Sequence, residues 1–227
     1  MEPILLTLLF ACIEIDRYSF GQFGFSQPLI GCTLAGALVG NWEMGLMCGA
    51  AIQLLWVSFI PAGASMYTNE SVAASAFAAF AASQISIDAT GLMVAFLLIF
   101  PLTFMALLLD TLGRNANGFF AGAAKYHITQ GNHGIASRFH LAGIAINSLN
   151  GMIIGWVGFM GLSFVFPYIN RLVHHFQFAT GLALQWYLLP VIGILFLAHD
   201  NFQNRRSFYY SLAGIACGGA IIWGGWL

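Results

Sequence analysis

Apolar residues fall into long blocks along this chain, and the blocks predict helices in a membrane. Residues 91–109 form an apolar run of the length that crosses a hydrocarbon core, about 20 residues. Residues 139–168 form a longer, glycine-rich block, which predicts a bent or broken helix. Two further apolar blocks, residues 176–198 and 207–227, complete the C-terminal half.

The N-terminal half is divided into shorter apolar blocks, and polar residues, proline and glycine interrupt them. Runs of about 10–14 apolar residues are typical of re-entrant or half-crossing segments rather than of full spans. The blocks are residues 4–15, 28–40, 44–66 (interrupted by Pro61 and Gly63) and the Ala-rich residues 71–87. We therefore predict an all-α, polytopic membrane protein with several transmembrane helices and short re-entrant or broken helices in its N-terminal half. We expect one domain over residues 1–227.

These interruptions also indicate where a solute could bind. Irregular backbone at membrane depth is tolerated only where protein buries it or a water-filled cavity satisfies it. Transporters place their substrate sites at such breaks. The breaks concentrate between residues 16 and 75, so we expect a solute site there. The other interpretation is that the short blocks are ordinary helices.

Composition supports a membrane protein and excludes a nucleic-acid partner. Hydrophobic residues make up 59% of the chain and charged residues 7%, against roughly 25% charged in soluble domains. Fifteen acidic and basic side chains could not cover a soluble protein of this size. The formal net charge is −1, without a basic stripe, so the chain lacks the electrostatic footprint of nucleic-acid binding.

The basic residues predict an orientation, because cytoplasmic loops are enriched in Lys and Arg. The hydrophilic segment 110–138 and the loop 200–206 are separated by two apolar blocks, so both are predicted to face the cytoplasm. Their basic residues are Arg114, Lys125, Arg138, Arg205 and Arg206. Arg171 in the intervening loop opposes this assignment. The C-terminus would lie outside, and the side of the N-terminus stays open.

Polar groups inside the apolar blocks are the candidate site residues, since such groups are costly in a membrane and mark solute pathways. Amides and carboxylates suit the hydroxyls of an uncharged sugar, and an aromatic ring suits its apolar face. Trp56 lies three residues after Gln53, hence on nearly the same helical face. The candidate substrate-binding residues are Gln53, Glu70, Asp16, Asn69 and Trp56.

Each candidate also has a purely structural interpretation. Gln53 could hydrogen-bond across two helices, and residues 67–71 could form an interfacial turn. Asp16 and Arg17 could pair only with each other. Asp88 and Asp110 bound apolar blocks and are interpreted as solvated helix ends.

The sequence lacks the phosphate-binding motif GxxxxGK[ST], the nucleophilic-serine motif GxSxG and the motif HExxH of zinc-dependent hydrolases. We therefore expect no catalytic residue, metal site or cofactor. The four cysteines, which show no CxxC spacing, are interpreted as small buried hydrophobic residues.

An ordered series of sequence blocks resembles the membrane subunit IIC of the mannose–fructose–sorbose family of phosphotransferase systems. Asn41 stands where the family usually has Asp, and Asn69-Glu70 stands in place of Pro-Asp. The blocks are residues 27–36 (QPLIGCTLAG) followed by Gly40-Asn41, residues 49–54 (GAAIQL), residues 63–73, and residues 123–140 ending in Arg-Phe-His.

The resemblance implies a sugar-translocating subunit of the bacterial inner membrane. Family members act with a second membrane subunit, IID, and with cytoplasmic IIA and IIB subunits, and IIB phosphorylates the sugar as it emerges. The chain itself would then be no enzyme. Alternatives are a transporter or channel of another mechanism, or a receptor-like homologue that has lost transport.

Glycine spacing predicts close helix packing and a homo- or hetero-oligomer, because paired small residues let helices associate in lipid. Four pairs stand one helical turn apart: Gly36/Gly40, Gly45/Gly49, Gly151/Gly155 and Gly214/Gly218.

Overall fold

A computed structural model describes residues 3–56, 69–175, 179–202 and Tyr209, and every regular element in these residues is an α-helix. The all-α prediction is confirmed. The seven helices are α1 (Pro3–Tyr18), α2 (Pro28–Val39), α3 (Trp42–Trp56), α4 (Ser71–Ser83), α5 (Ala89–Thr129), α6 (His133–His175) and α7 (Ala179–Phe202). Predictions that concern Pro61, Gly63, Tyr67, the 200–206 arginines, the Gly214/Gly218 pair, Cys217 and the block 207–227 lie outside the described residues.

The N-terminal half consists of short helices, as predicted. Helix α2 has 12 residues and α4 has 13, so they are about 18 and 20 Å long at 1.5 Å per residue. Both are shorter than the roughly 30 Å hydrocarbon core.

Helices α2 and α3 form a tight hairpin whose glycines allow the two backbones to touch. Gly40 ends α2 with φ +99°, a left-handed conformation that favours glycine. A Cβ on Gly36 would lie 2.7 Å from the Cα of Gly45, and a Cβ on Gly49 would lie 2.7 Å from the carbonyl oxygen of Pro28. These glycines therefore serve packing within the chain.

Helix α4 is the central element of the fold. Residues 71–82 are all buried, and most of them are small. Two larger side chains, Phe77 and Phe80, are at most 1% exposed. Helices α2, α3, α5 and α6 pack around α4, so the start of α4 lies where several helices meet.

Helices α5 and α6 form one long hairpin and correct two predictions. They contain 41 and 43 residues, about 60 Å each at 1.5 Å per residue. Residues 110–138, predicted to be a loop, continue both helices apart from a turn near Gly131. Residues 139–168, predicted to form a bent or broken helix, belong to one continuous helix, so the broken alternative is wrong and the bent one stays a prediction. Neighbouring helices bury several of its glycines. By length and composition, α5 and α6 can each cross a membrane.

Helix α1 packs closely against α6 at the glycine pair Gly151/Gly155. A Cβ on Gly151 would meet the carbonyl oxygen of Phe10, and a Cβ on Gly155 would meet the ring of Phe10. The indole of Trp156 also donates a 2.8 Å hydrogen bond to the hydroxyl of Thr7. These contacts hold the middle of α1 against α6.

Candidate functional site

A buried polar cluster lies where α1, the start of α4 and the middle of α5 meet. Glu14 and Asn69 are fully buried, and Asp110 is 4% exposed. The amide nitrogen of Asn69 donates to both carboxylate oxygens of Glu14, at 3.0 and 3.2 Å. The same nitrogen lies 3.0 Å from the Oδ2 atom of Asp110. One amide thus holds two buried carboxyl groups together.

A salt bridge borders this cluster. The Arg17 guanidinium contacts the Glu70 carboxylate through two nitrogens, at 3.1 and 3.3 Å. Arg17 also donates to the hydroxyl of Ser71, the first residue of α4. The Tyr18 hydroxyl accepts a 3.0 Å bond from Arg17 and donates a 2.9 Å bond to Asp110. Tyr18 therefore connects the salt bridge to the buried carboxyl groups.

Two buried acceptor atoms of the cluster lack a hydrogen-bond donor. The Oδ1 atoms of Asn69 and Asp110 are buried without a hydrogen-bond partner among the described residues. Buried acceptors in proteins are almost always matched to donors. Hydroxyl groups of a ligand are donors of the right kind, so this arrangement has the chemistry to hold a polyol.

Asp16 faces the loop between α1 and α2 instead of the cluster. Its carboxylate accepts backbone N–H groups from Phe23 at 2.6 Å, Ser26 at 2.9 Å and Gly24 at 3.2 Å. Gly24 has φ +102°, a conformation that side chains disfavour. Asp16 therefore shapes the loop. Its proposed contact with a sugar stays a prediction.

Gln53 connects α3 to the start of α2. Its amide oxygen accepts the N–H of Leu29 at 3.3 Å, and its amide nitrogen donates to the side chain of Gln27 at 2.9 Å. The interhelical hydrogen bond considered from the sequence is thus present. Contact between Gln53 and a sugar is not excluded by it and stays a prediction.

Trp56 packs on α5, with ring centroids 6.3 Å from Phe96 and 5.9 Å from Phe100. Together with Glu70 it lines a cavity of about 10 Å³ between α3, α4 and α5. A cavity of that volume holds about one water molecule. The structure therefore brings Asn69, Glu70 and Trp56 to one region, whereas Asp16 and Gln53 face the α1–α2 loop and the start of α2.

Two interpretations from the sequence were wrong. Asp110 is not a solvated helix end, because α5 continues past it and the cluster buries it. Arg17 pairs with Glu70 and not with its neighbour Asp16. The site residues that sequence reasoning did not select are Glu14, Tyr18 and Asp110. Acidic residues at the edges of apolar blocks were the signal available for Glu14 and Asp110.

The cysteines follow the prediction only in part. Cys32 and Cys48 are buried, whereas Cys12 is exposed.

Long apolar helices, short helices beside them and a buried polar cluster at their junction define an α-helical membrane protein with the architecture of a transporter. The chain belongs to the family of the PTS system sorbose-specific IIC component, whose model matches residues 1–217. This confirms the resemblance seen in the sequence blocks.

Individual relatives agree with this family. Over 70 residues, 31% of this chain, it is 29% identical to the PTS system mannose-specific EIIC component of Escherichia coli strain K12. Over a stretch of the same length it is 27% identical to the PTS system sorbose-specific EIIC component of Klebsiella pneumoniae. The matched stretch spans 26% of either relative's length.

Solved structures support the fold over nearly the whole chain. One, described as the structure of a membrane protein, superposes with a TM-score of 0.74 at 16% sequence identity. Another, the cryo-EM structure of the mannose transporter ManYZ with microcin E492, superposes with a TM-score of 0.63 at 16% identity. Each match covers 95% of this chain and 85% of the other.

Proposed function

We propose that this chain is the sugar-translocating IIC subunit of a phosphoenolpyruvate-dependent, mannose-type phosphotransferase system. It acts as one domain over residues 1–227 that crosses the bacterial inner membrane several times. It carries a hexose or related sugar to the cytoplasm, where the IIB partner phosphorylates it. Family membership over residues 1–217 supports this assignment.

The observation that carries the proposal is the buried cluster of Glu14, Asn69 and Asp110. Burying such polar groups inside a membrane helix bundle costs free energy, and groups of this kind typically mark substrate pathways. The unpartnered Oδ1 atoms of Asn69 and Asp110 are acceptors that sugar hydroxyls satisfy. A neutral sugar needs this kind of replacement for its lost water contacts.

In the proposed site, Glu70 and Asn69 bind hydroxyls and the Trp56 ring covers an apolar sugar face. The cavity that Glu70 and Trp56 share is too small for a sugar in this conformation. Sugar entry therefore requires α3 to separate from α4 and α5, as alternating access demands of a transporter.

Asp16 and Gln53 complete the proposed site and contribute fewer hydrogen bonds to the sugar. A carboxylate offers about four acceptor positions, and three backbone N–H groups occupy positions on Asp16. The Ser26 side chain also hydrogen-bonds this carboxylate, so a sugar hydroxyl would take the place of one of these donors. Gln53 is half-buried and can exchange its bond with Gln27 for one to the sugar.

The chain is proposed to work with partners and to perform no phosphoryl transfer itself. The membrane partner is a IID subunit, and the complex is a multimer of such pairs. Cytoplasmic IIA and IIB subunits supply the phosphoryl group. The hydrophilic end of the α5–α6 hairpin would offer IIB a docking surface of Lys125, His127 and His133. Arg114 is not part of this surface, because it stands over the Tyr18 ring.

Uptake of radiolabelled sugar in cells lacking the endogenous system tests the proposal. Mannose and sorbose should accumulate as phosphates only when this chain is expressed together with IID, IIA and IIB. Cells that express this chain without the partner subunits are the control. Accumulation of unmodified sugar by this chain alone would instead indicate a transporter of another mechanism.

A further inference from the structure

The α5–α6 hairpin and the end of α1 line a second cavity, open on one side, which we call the hairpin cleft. Its volume is about 340 Å³, at the lower end of the roughly 300–1,000 Å³ typical of small-molecule sites. One face of α5, including Asn117 and Phe120, forms one wall. One face of α6, including Phe139 and His140, forms the other. The last turn of α1 forms the floor with Tyr18.

The lining of the hairpin cleft matches a polyhydroxylated ligand. The rings of Phe120 and Phe139 contact each other, with centroids 5.8 Å apart and planes 33° apart. Both rings line the cleft, so they present apolar surface to sugar C–H groups. Asn117 and His140 provide donors and acceptors. The Oδ1 atom of Asn117 is buried without a hydrogen-bond partner in the described part of the chain.

Gly143 makes room for this asparagine. A Cβ at position 143 would lie 2.6 Å from the Asn117 Oδ1 atom, so any larger residue displaces the amide. By contrast, a Cβ on Gly134 of the same helix has open space around it. The absence of a side chain at 143 thus sets the position of the Asn117 side chain.

Tyr18 lies between the hairpin cleft and the buried cluster. Its side chain lines the cleft, and its hydroxyl donates to Asp110 at 2.9 Å. The Arg114 guanidinium stands over the Tyr18 ring, 5.2 Å from the centroid. A positive charge therefore lies beside the floor of the cleft, where it attracts an anionic group.

From this geometry we infer that the hairpin cleft is a second binding site, beyond Tyr18, for a hexose-sized polyol, and that it prefers the phosphorylated form. The inference rests on the proposed function in one respect: it makes this ligand the sugar product. Asn117 and His140 would bind hydroxyls, Phe120 and Phe139 would cover the ring, and Arg114 would face the phosphate.

Calorimetric titration of the full chain, purified with IID in lipid nanodiscs, tests the inference. The probes are mannose 6-phosphate, mannose and inorganic phosphate. We expect mannose 6-phosphate to bind better than either of the others. Asn117→Ala and Gly143→Ala should each weaken it about 3- to 10-fold, the effect of one lost hydrogen bond. Asn115→Ala and Gly134→Ala are the matched controls and should bind as the wild type does.

A second measurement does not depend on affinity changes. In a cysteine-free background, a thiol at Ala121→Cys lines the cleft, whereas one at Gly122→Cys projects into open space. Mannose 6-phosphate should slow maleimide labelling at position 121 and leave position 122 unchanged.

Failure of the wild type to bind mannose 6-phosphate would overturn the inference, as would normal mannose 6-phosphate binding by both cleft variants. These results are separable from the uptake experiment. Sugar accumulation with an inert cleft keeps the proposed function and removes the second site. Protection of position 121 without any uptake does the reverse and leaves a polyol site in a protein of another role.

Discussion

Arg17 at the end of α1 forms a salt bridge with Glu70, its guanidinium nitrogen 3.1 Å from the carboxylate oxygen. The two residues are 53 positions apart in the chain. Their side chains are 9% and 15% exposed, so the pair is largely removed from solvent. It fixes the start of the central helix α4 against α1, next to the carboxyl groups of the proposed sugar site.

Removing one partner of this pair should destabilise the protein strongly. Glu70→Ala leaves the Arg17 charge buried and unpaired, which costs about 3–5 kcal/mol. The double variant Arg17→Leu/Glu70→Leu should lose less stability than Glu70→Ala, because neither charge of the pair is left without the other. Thermal unfolding of the purified protein in detergent measures both. Glu43→Ala, at an exposed acidic residue in the first turn of α3, is the control. Equal stability of Glu70→Ala and wild type would contradict the role of the pair.

The contact between α1 and α6 should be intolerant of a methyl group at Gly155. Gly155→Ala places a carbon into the ring of Phe10, and overpacking of this kind typically costs 1–3 kcal/mol. Gly161→Ala lies on the same helix with open space around its Cβ and should be neutral. The thermal unfolding midpoints of the two variants test this prediction. A normal midpoint for Gly155→Ala would show that α1 moves away at little cost.

The tip of the α5–α6 hairpin should be cytoplasmic. Gln130 is exposed at this tip, and the basic residues of segment 110–138 place it inside by the positive-inside rule. A single cysteine at Gln130→Cys, in a cysteine-free background, should resist an impermeant thiol reagent in intact cells. It should react in inverted vesicles. Labelling in intact cells would reverse the orientation.

The proposed sugar contacts should be measurable as affinity. Glu70→Ala should weaken sugar binding about tenfold or more, since a lost hydrogen bond to a charged partner costs about 1.5–3 kcal/mol. Gln53→Ala should weaken it about 3- to 10-fold, since a lost hydrogen bond between neutral groups costs about 0.5–1.5 kcal/mol. Glu70→Gln is the cleaner change at position 70, because it preserves the shape of the side chain.

Equilibrium binding of labelled sugar to the assembled complex is the measurement, and co-purification with IID confirms assembly of each variant. Gln84→Ala, at a glutamine near the end of α4, is the matched control. Normal sugar binding by assembled Gln53 and Glu70 variants would show that both side chains serve only helix packing.

The class of the protein could be read from the sequence, because it depends on local properties. Few charges and long apolar blocks require lipid as a solvent, and backbone hydrogen bonding in lipid then requires helices. The short blocks of the N-terminal half appear as the short helices α1 to α4 for the same reason. The ordered sequence blocks identified the family.

Tertiary packing decided what the polar residues do. Segment 110–138 was expected to be a loop because it is hydrophilic, yet polarity does not break a helix and α5 runs through it. Asp110 borders an apolar block, and only the approach of Asn69 and Tyr18 from distant positions buries it. Arg17 has an acidic neighbour in sequence, but helix geometry directs its guanidinium to Glu70 instead. Partners this far apart depend on how the helices pack, which periodicity along the chain does not encode.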